Sequence, residues 1–139
     1  MLELNLDDFS KQIEDFTKNV EAAIDQSLQE IVIEIGSSVV MLSPVLTGRF
    51  RGNWQLTLGT PSNFSLNTYD PIGSATIAEI VQKAQFFTDG QVAYIVNNLT
   101  YGPLIETGDH SRKAPNGVVR VTAARFLEIV EDAVRKHQV

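Results

Sequence analysis

A chain of 139 residues with 43% hydrophobic and 20% charged side chains can build one hydrophobic core and is too apolar for a disordered polymer. It has no Cys, which excludes disulfides and thiolate metal sites and fits use in a reducing cytoplasm. A net charge of −6 argues against gripping nucleic acid, because affinity there comes mainly from cations that neutralise phosphates.

The acids crowd the amino end. Residues 1–42 hold nine Asp and Glu against Lys11 and Lys18, a net of −7, and the remainder balances to +1. In the same segment apolar residues recur at Phe9, Ile13, Phe16, Val20, Ile24, Leu28, Ile31, Ile35, Val39 and Leu42. The nine intervals span 33 residues, about 3.7 each, which is a helical period and not the 3.5 of a coiled-coil seam. Asn5 can cap this helix, with Asp8 as reciprocal partner and Leu4 stapled to Phe9. A helix of that length outruns the core of a domain this small. Either it bends near Gly36-Ser37-Ser38, or part of its stripe packs on another subunit; the second is the expectation here. Ser43-Pro44 ends it, since the residue before Pro is pushed out of the α region.

In "NWQLTLG" (53–59), Trp54, Leu56 and Leu58 alternate with Asn53, Gln55 and Thr57, which predicts a half-buried strand. Residues 60–74 are rich in Ser, Asn, Pro and Thr and lack a period; connections this long are uncommon without a role or disorder. Thr76 and Glu79 suggest a capping box opening a short helix with Ile77, Ile80, Val81 and Ala84 inward. Asp89-Gly90 turns into "QVAYIVNN" (91–98), apolar on both faces and so read as a central strand. "YGPLIETG" (101–108) reads as a shorter extended piece, and 109–117 as a polar loop. A last helix from Val118 to about His137 should bury Val121, Phe126, Ile129, Val130 and Ala133, with Arg135, Lys136 and His137 complementing its dipole. The fold class is therefore α+β: a long N-terminal helix, a small and mostly antiparallel sheet, a short middle helix and a C-terminal helix packed on the sheet. No repeat or linker divides the chain. It reads as a single domain, with a long acidic helix at 1–42 and an α+β body at 43–139.

No stretch nears the about 18 apolar residues of a membrane span, and the acidic start lacks a signal-peptide layout. The sequons at Asn63 and Asn98 read as chance. Catalytic signals are thin. Ser43, Thr47 and Ser111 lack a nucleophile-elbow motif, and Gly48 and Gly52 do not make a phosphate loop. Glu106, Asp109 and His110 mark the one place where a metal or acid–base pair could be drawn, which would make a small metal-dependent hydrolase or nuclease. No metal-ligand spacing supports it, so no catalytic residue, metal or cofactor is expected. Arg49 and Arg51 straddle Phe50. Two cations are too few for RNA; Phe50 should point in and the arginines out, free for acidic groups such as a neighbour's acidic helix. Trp54 suits either a core or an interface anchor. Arg49, Arg51, Trp54, Glu21, Asp25 and Glu34 are thus the candidate subunit-interface residues.

These segments also carry a resemblance. Ser43-Pro44-Val45, Thr47-Gly48-Arg49-Phe50-Arg51, Asn53-Trp54-Gln55, Asn97-Asn98, Tyr101, Ile105-Glu106, Gly108, and Ala114-Pro115 with Gly117 and Val119 follow one another in order across nearly the whole chain. That series resembles the neck or tail-completion proteins of long-tailed bacteriophages. Leu46 departs from the pattern, which often has an acidic residue there, so an ion pair to Arg49 is not carried over. The resemblance implies a virion structural protein without enzymatic activity, in a ring that is commonly sixfold. Such a ring completes the tail and helps join it to the filled head. Its expected partners are itself, the head–tail connector, and tail-tube or terminator proteins, with DNA passing through the lumen without specific binding. Its expected place is the virion neck or tail, after assembly in the host cytoplasm. A tail-terminator cap that stops tube growth shares the ring logic and stays open.

Overall fold

The computed structural model describes residues 6–108, 114 and 116–138. The expected Asn5 cap with its Leu4 staple lies outside the described residues, as do Asp109, His110 and Pro115. Helix α1 (Leu6–Leu42) runs unbroken through Gly36-Ser37-Ser38, and its 37 residues reach about 55 Å at 1.5 Å per residue. Gly36 is not a hinge. A Cβ there would sit 2.8 Å from a methyl of Ile80, so the missing side chain lets α2 (Ser74–Ala84) pack against the backbone of α1. After a 3-10 turn (Arg51–Asn53), β1 (Trp54–Leu58) pairs antiparallel with β2 (Ala93–Asn97), Leu56 opposite Ile95. Helices α3 (Gly102–Thr107), α4 (Val119–Ala124) and α5 (Phe126–Lys136) follow. The fold is α+β. Its core joins Val32, Val39 and Val40 of α1 to Phe50, Trp54, Leu56, Ile80, Ala84 and Val118.

Several local expectations need correction. The sheet has two strands among the described residues, so β2 is no central strand and each of its residues is only half-buried. The polar face of β1 is not open either. The 60–69 segment folds over it: Gln55 donates to the Phe64 carbonyl at 2.8 Å and accepts from Ser62 at 2.9 Å, while Asn53 Oδ1 accepts from Leu66 N–H at 2.6 Å. Asn98 donates to the carbonyls of Ser62 (2.9 Å) and Phe64 (3.0 Å) from the other side. Polar side chains thus hold the long connection over that face.

Residues 102–107 are helical, not extended. Pro103 suits a first helical turn, where its absent N–H is not needed, and Gly108 (φ 82°) ends the helix in the left-handed region. The Thr76–Glu79 capping box does not form. Thr76 is already inside α2, and Asp70 caps instead, accepting from Gly73 N–H (3.0 Å), Thr76 N–H (2.8 Å) and Thr76 Oγ1 (2.7 Å). The C-terminal helix is broken at Arg125. Thr122 Oγ1 bonds back to the Val118 carbonyl at 2.9 Å, a bond that bends helices, and meets Ser38 Oγ at 2.7 Å on α1. Ile129 and Ala133 are buried as expected, but Phe126 is 51% exposed. The α4–α5 pair lies chiefly along α1 and faces the sheet only at its rim.

Gly48 anchors the chain reversal after α1. Its φ is +87°, and an added Cβ would lie 2.3 Å from the Pro71 nitrogen. Gly48→Ala should therefore lower stability by upward of about 3 kcal/mol, from strain plus steric overlap. Gly59→Ala shares the backbone strain (φ +85°) but meets nothing within 4 Å, and should cost only about 1–2 kcal/mol. Urea midpoints of the two variants check the difference; equal losses would deny the packing at Gly48.

Candidate functional site

The six interface candidates fall in three places. The first is a clasp at the C-terminal end of α1, where the last carbonyls of a helix lack internal partners. Arg51 serves them: Nη2 donates to the carbonyls of Met41 (3.1 Å) and Ser43 (2.9 Å), and Nη1 to that of Pro71 (2.8 Å). Ser43 Oγ donates to the Val39 carbonyl at 2.6 Å and accepts from Trp54 Nε1 at 2.7 Å. Trp54 is 7% exposed, with the Phe50 ring edge-on at 5.7 Å. Arg51 is therefore not free for a neighbour, and Trp54 is a core residue rather than a surface anchor. Arg49 is half-buried, and its Nε lacks a hydrogen-bond partner. "SPVLTGRFRGNWQ" joins the chain's own helix to its own sheet.

The second place is the middle of α1. Asp25 turns inward and accepts from Asp89 N–H at 2.8 Å, while Gln29 donates to the carbonyls of Gln85 (3.3 Å) and Phe87 (3.0 Å). Glu34 is exposed near Lys136, whose ammonium is shifted upward by its hydrogen bond to Glu30 (3.1 Å), helped by the charges of Glu30, Glu34 and Asp132. These groups fasten the rod to the body.

The third place is the half of α1 that no other described residue covers, and of the six only Glu21 lies there. Residues 7–19 are exposed throughout; Phe9 is 50% exposed, Ile13 51% and Phe16 61%. At about 100° per residue, Phe9, Ile13, Phe16, Val20 and Ile24 share one face. Ser10 and Thr17 flank it on one side and Gln12 and Asn19 on the other, while Asp8, Glu14, Asp15 and Glu21 lie about 100–140° round from its centre, towards the back where Lys11 and Lys18 fall. Lys18 pairs with Glu14 at 3.3 Å, one turn away. A Phe or Ile side chain of this kind stabilises an interface by roughly 1.5–3 kcal/mol when fully buried. A row of five is a large reserve of unrealised burial.

Glu106, the described member of the hydrolase trio, has a structural task. Its Oε1 accepts from Val118 N–H (2.8 Å) and Val119 N–H (2.7 Å), and its Oε2 from Arg120 N–H (3.0 Å) and Nε (3.2 Å). Arg120 Nη2 also bonds the Glu106 carbonyl. Among the described residues no group of three His, Cys, Asp or Glu could hold a metal, and no helix is long and apolar enough to cross a membrane.

Asp70 and Glu106 also set an acid limit. Burial pushes both carboxyls up, but the donated hydrogen bonds outweigh it and hold each below its ordinary value. A folded value below the unfolded one gives stability that is complete above the unfolded values, about 3.9 and 4.3. It is lost as pH falls through the folded values. The thermal midpoint should drop below about pH 4, and Asp70→Asn with Glu106→Gln should flatten that drop while lowering stability at pH 7. A melting series from pH 7 to 3 checks both.

Compared with protein-family models, with curated proteins and with solved structures, the chain matches none.

Proposed function

We propose that the chain is a structural subunit of the neck or tail of a long-tailed bacteriophage, assembling head to tail into a ring that completes the tail and helps join it to the filled head. The observation that carries the reading is the bare apolar stripe on α1, about 22 Å long from Phe9 to Ile24 on an otherwise acidic rod. A stripe of this size asks for a macromolecular partner rather than a small ligand. The ordered run of motifs from Ser43 to Val119 supplies the phage context, and the clasp and the Glu106 cap give several of those motif residues a shared structural purpose. A ring of acidic rods would line a passage through which DNA slides without sticking, since like charges repel.

Electron micrographs of particles from a phage deleted for this chain test the reading. Filled heads beside detached tails are the expected result, and Phe16→Asp, on the bare stripe, should reproduce it with a folded protein. Overlong tails would assign the terminator role instead. Intact particles would sink both.

A further inference from the structure

Asn116 is the chain's only Asn followed by Gly, and the fold sets that pair against the Glu106 cap. An asparagine before a glycine carries the means of its own modification. The glycine has no Cβ to hinder its backbone nitrogen as it attacks the asparagine's side-chain carbonyl. The side-chain amides of Asn53, Asn97 and Asn98 are each held by a hydrogen bond, whereas Asn116 is exposed.

The structure governs this reaction through the glycine. Gly117 N–H donates to the Ala114 carbonyl at 3.2 Å. A Cβ on Gly117 would lie 2.5 Å from both the carbonyl oxygen and Oε2 of Glu106, so Glu106 rests directly on the glycine. The same carboxylate holds the next three amides, those of Val118 (2.8 Å), Val119 (2.7 Å) and Arg120 (3.0 Å). To reach the Asn116 side chain, the Gly117 nitrogen must leave Ala114 and its peptide must turn. A group packed this closely leaves no room for the turn. Ring closure therefore starts only when the Glu106 cap has opened.

We propose that Asn116 is a self-modification site guarded by the Glu106 cap, and that its products keep the cap open. The Gly117 nitrogen bonds to the side-chain carbonyl carbon of Asn116. Ammonia departs, carrying the amide nitrogen and the glycine proton, and a five-membered imide remains. Water then opens the imide at either carbonyl. One opening gives aspartate; the other gives isoaspartate, in which the main chain runs through the former side chain and is longer by a methylene. No oxidant, reductant or cofactor enters. Both products add a negative charge one residue from the point where Glu106 rests on Gly117, and like charges repel. The isoaspartate also lengthens a turn with no spare room. Helix α4 then loses its tie to the end of α3. None of this draws on the neck reading.

The test holds the folded chain at mildly alkaline pH, where the glycine amide gives up its proton more readily. Conversion is read by peptide mapping, from the mass change of amide to acid at residue 116. The native chain should convert at least about tenfold more slowly than the same chain in urea, because only the opened fraction reacts. Glu106→Gln, which turns an accepting oxygen into a donor facing other donors, should remove most of that protection with helical circular dichroism retained. Asn116→Gln, whose longer side chain would have to close a six-membered ring, should stop the conversion. A second measurement needs no variant at Glu106: amide exchange at Val118 and Val119 should be about tenfold faster in the converted chain than in the fresh one. A native rate equal to that in urea, a rate unchanged by Glu106→Gln, or unaltered exchange at Val118 and Val119 after conversion would overturn the proposal.

Discussion

The body of the molecule depends on how the end of α1 is held. A long helix leaves unpartnered carbonyls where it stops, and here part of that end lies against the core, at Val39 and Val40. Met41 and Leu42 stay open to solvent, but Val39, Val40 and Ser43 do not. Ser43 and Arg51 supply donors to these carbonyls, Trp54 donates to the Ser43 hydroxyl, and all three belong to the segment that begins the sheet. One set of hydrogen bonds thus ends the helix, starts the strand and fixes the angle between them. Removing a member strands a buried polar group, which costs more than the bond itself contributes.

The same economy explains a two-stranded sheet that would be marginal alone. One face is covered by the 60–69 segment, held by Asn and Gln side chains, and the other by helices. The polar residues that alternate along β1 look solvent-facing in the sequence, yet Asn53 is fully buried and Gln55 nearly so. Periodicity reports which positions differ in polarity. It does not report that an irregular segment far along the chain will cover the polar side.

That distinction marks what could be read beforehand. The long helix was legible because its period persists over ten apolar positions, and its excess length was legible from the size of the body. The fold class followed. The short helix at Gly102–Thr107 was missed, although Gly-Pro at its start and Gly108 at its end carried the signal; five residues between glycines fit a strand as well as a helical turn. The Arg51 clamp and the Asp70 and Glu106 caps were not readable. Asp70 serves a helix that begins a few residues away and Glu106 one that begins beyond the next loop, and sequence spacing alone does not distinguish a cap from a surface acid. Arg49 and Arg51 looked equivalent in the sequence, but only Arg51 reaches the end of α1.

The continuity of α1 has a mechanical side. With Gly36 pressed against Ile80 and no proline or bulge along its length, the helix has no soft joint between its free tip and its clasped base. A load applied near Phe9 is therefore delivered to the fastenings at Asp25, Gln29 and Glu30 as leverage, amplified by the arm's length, instead of being absorbed by bending on the way.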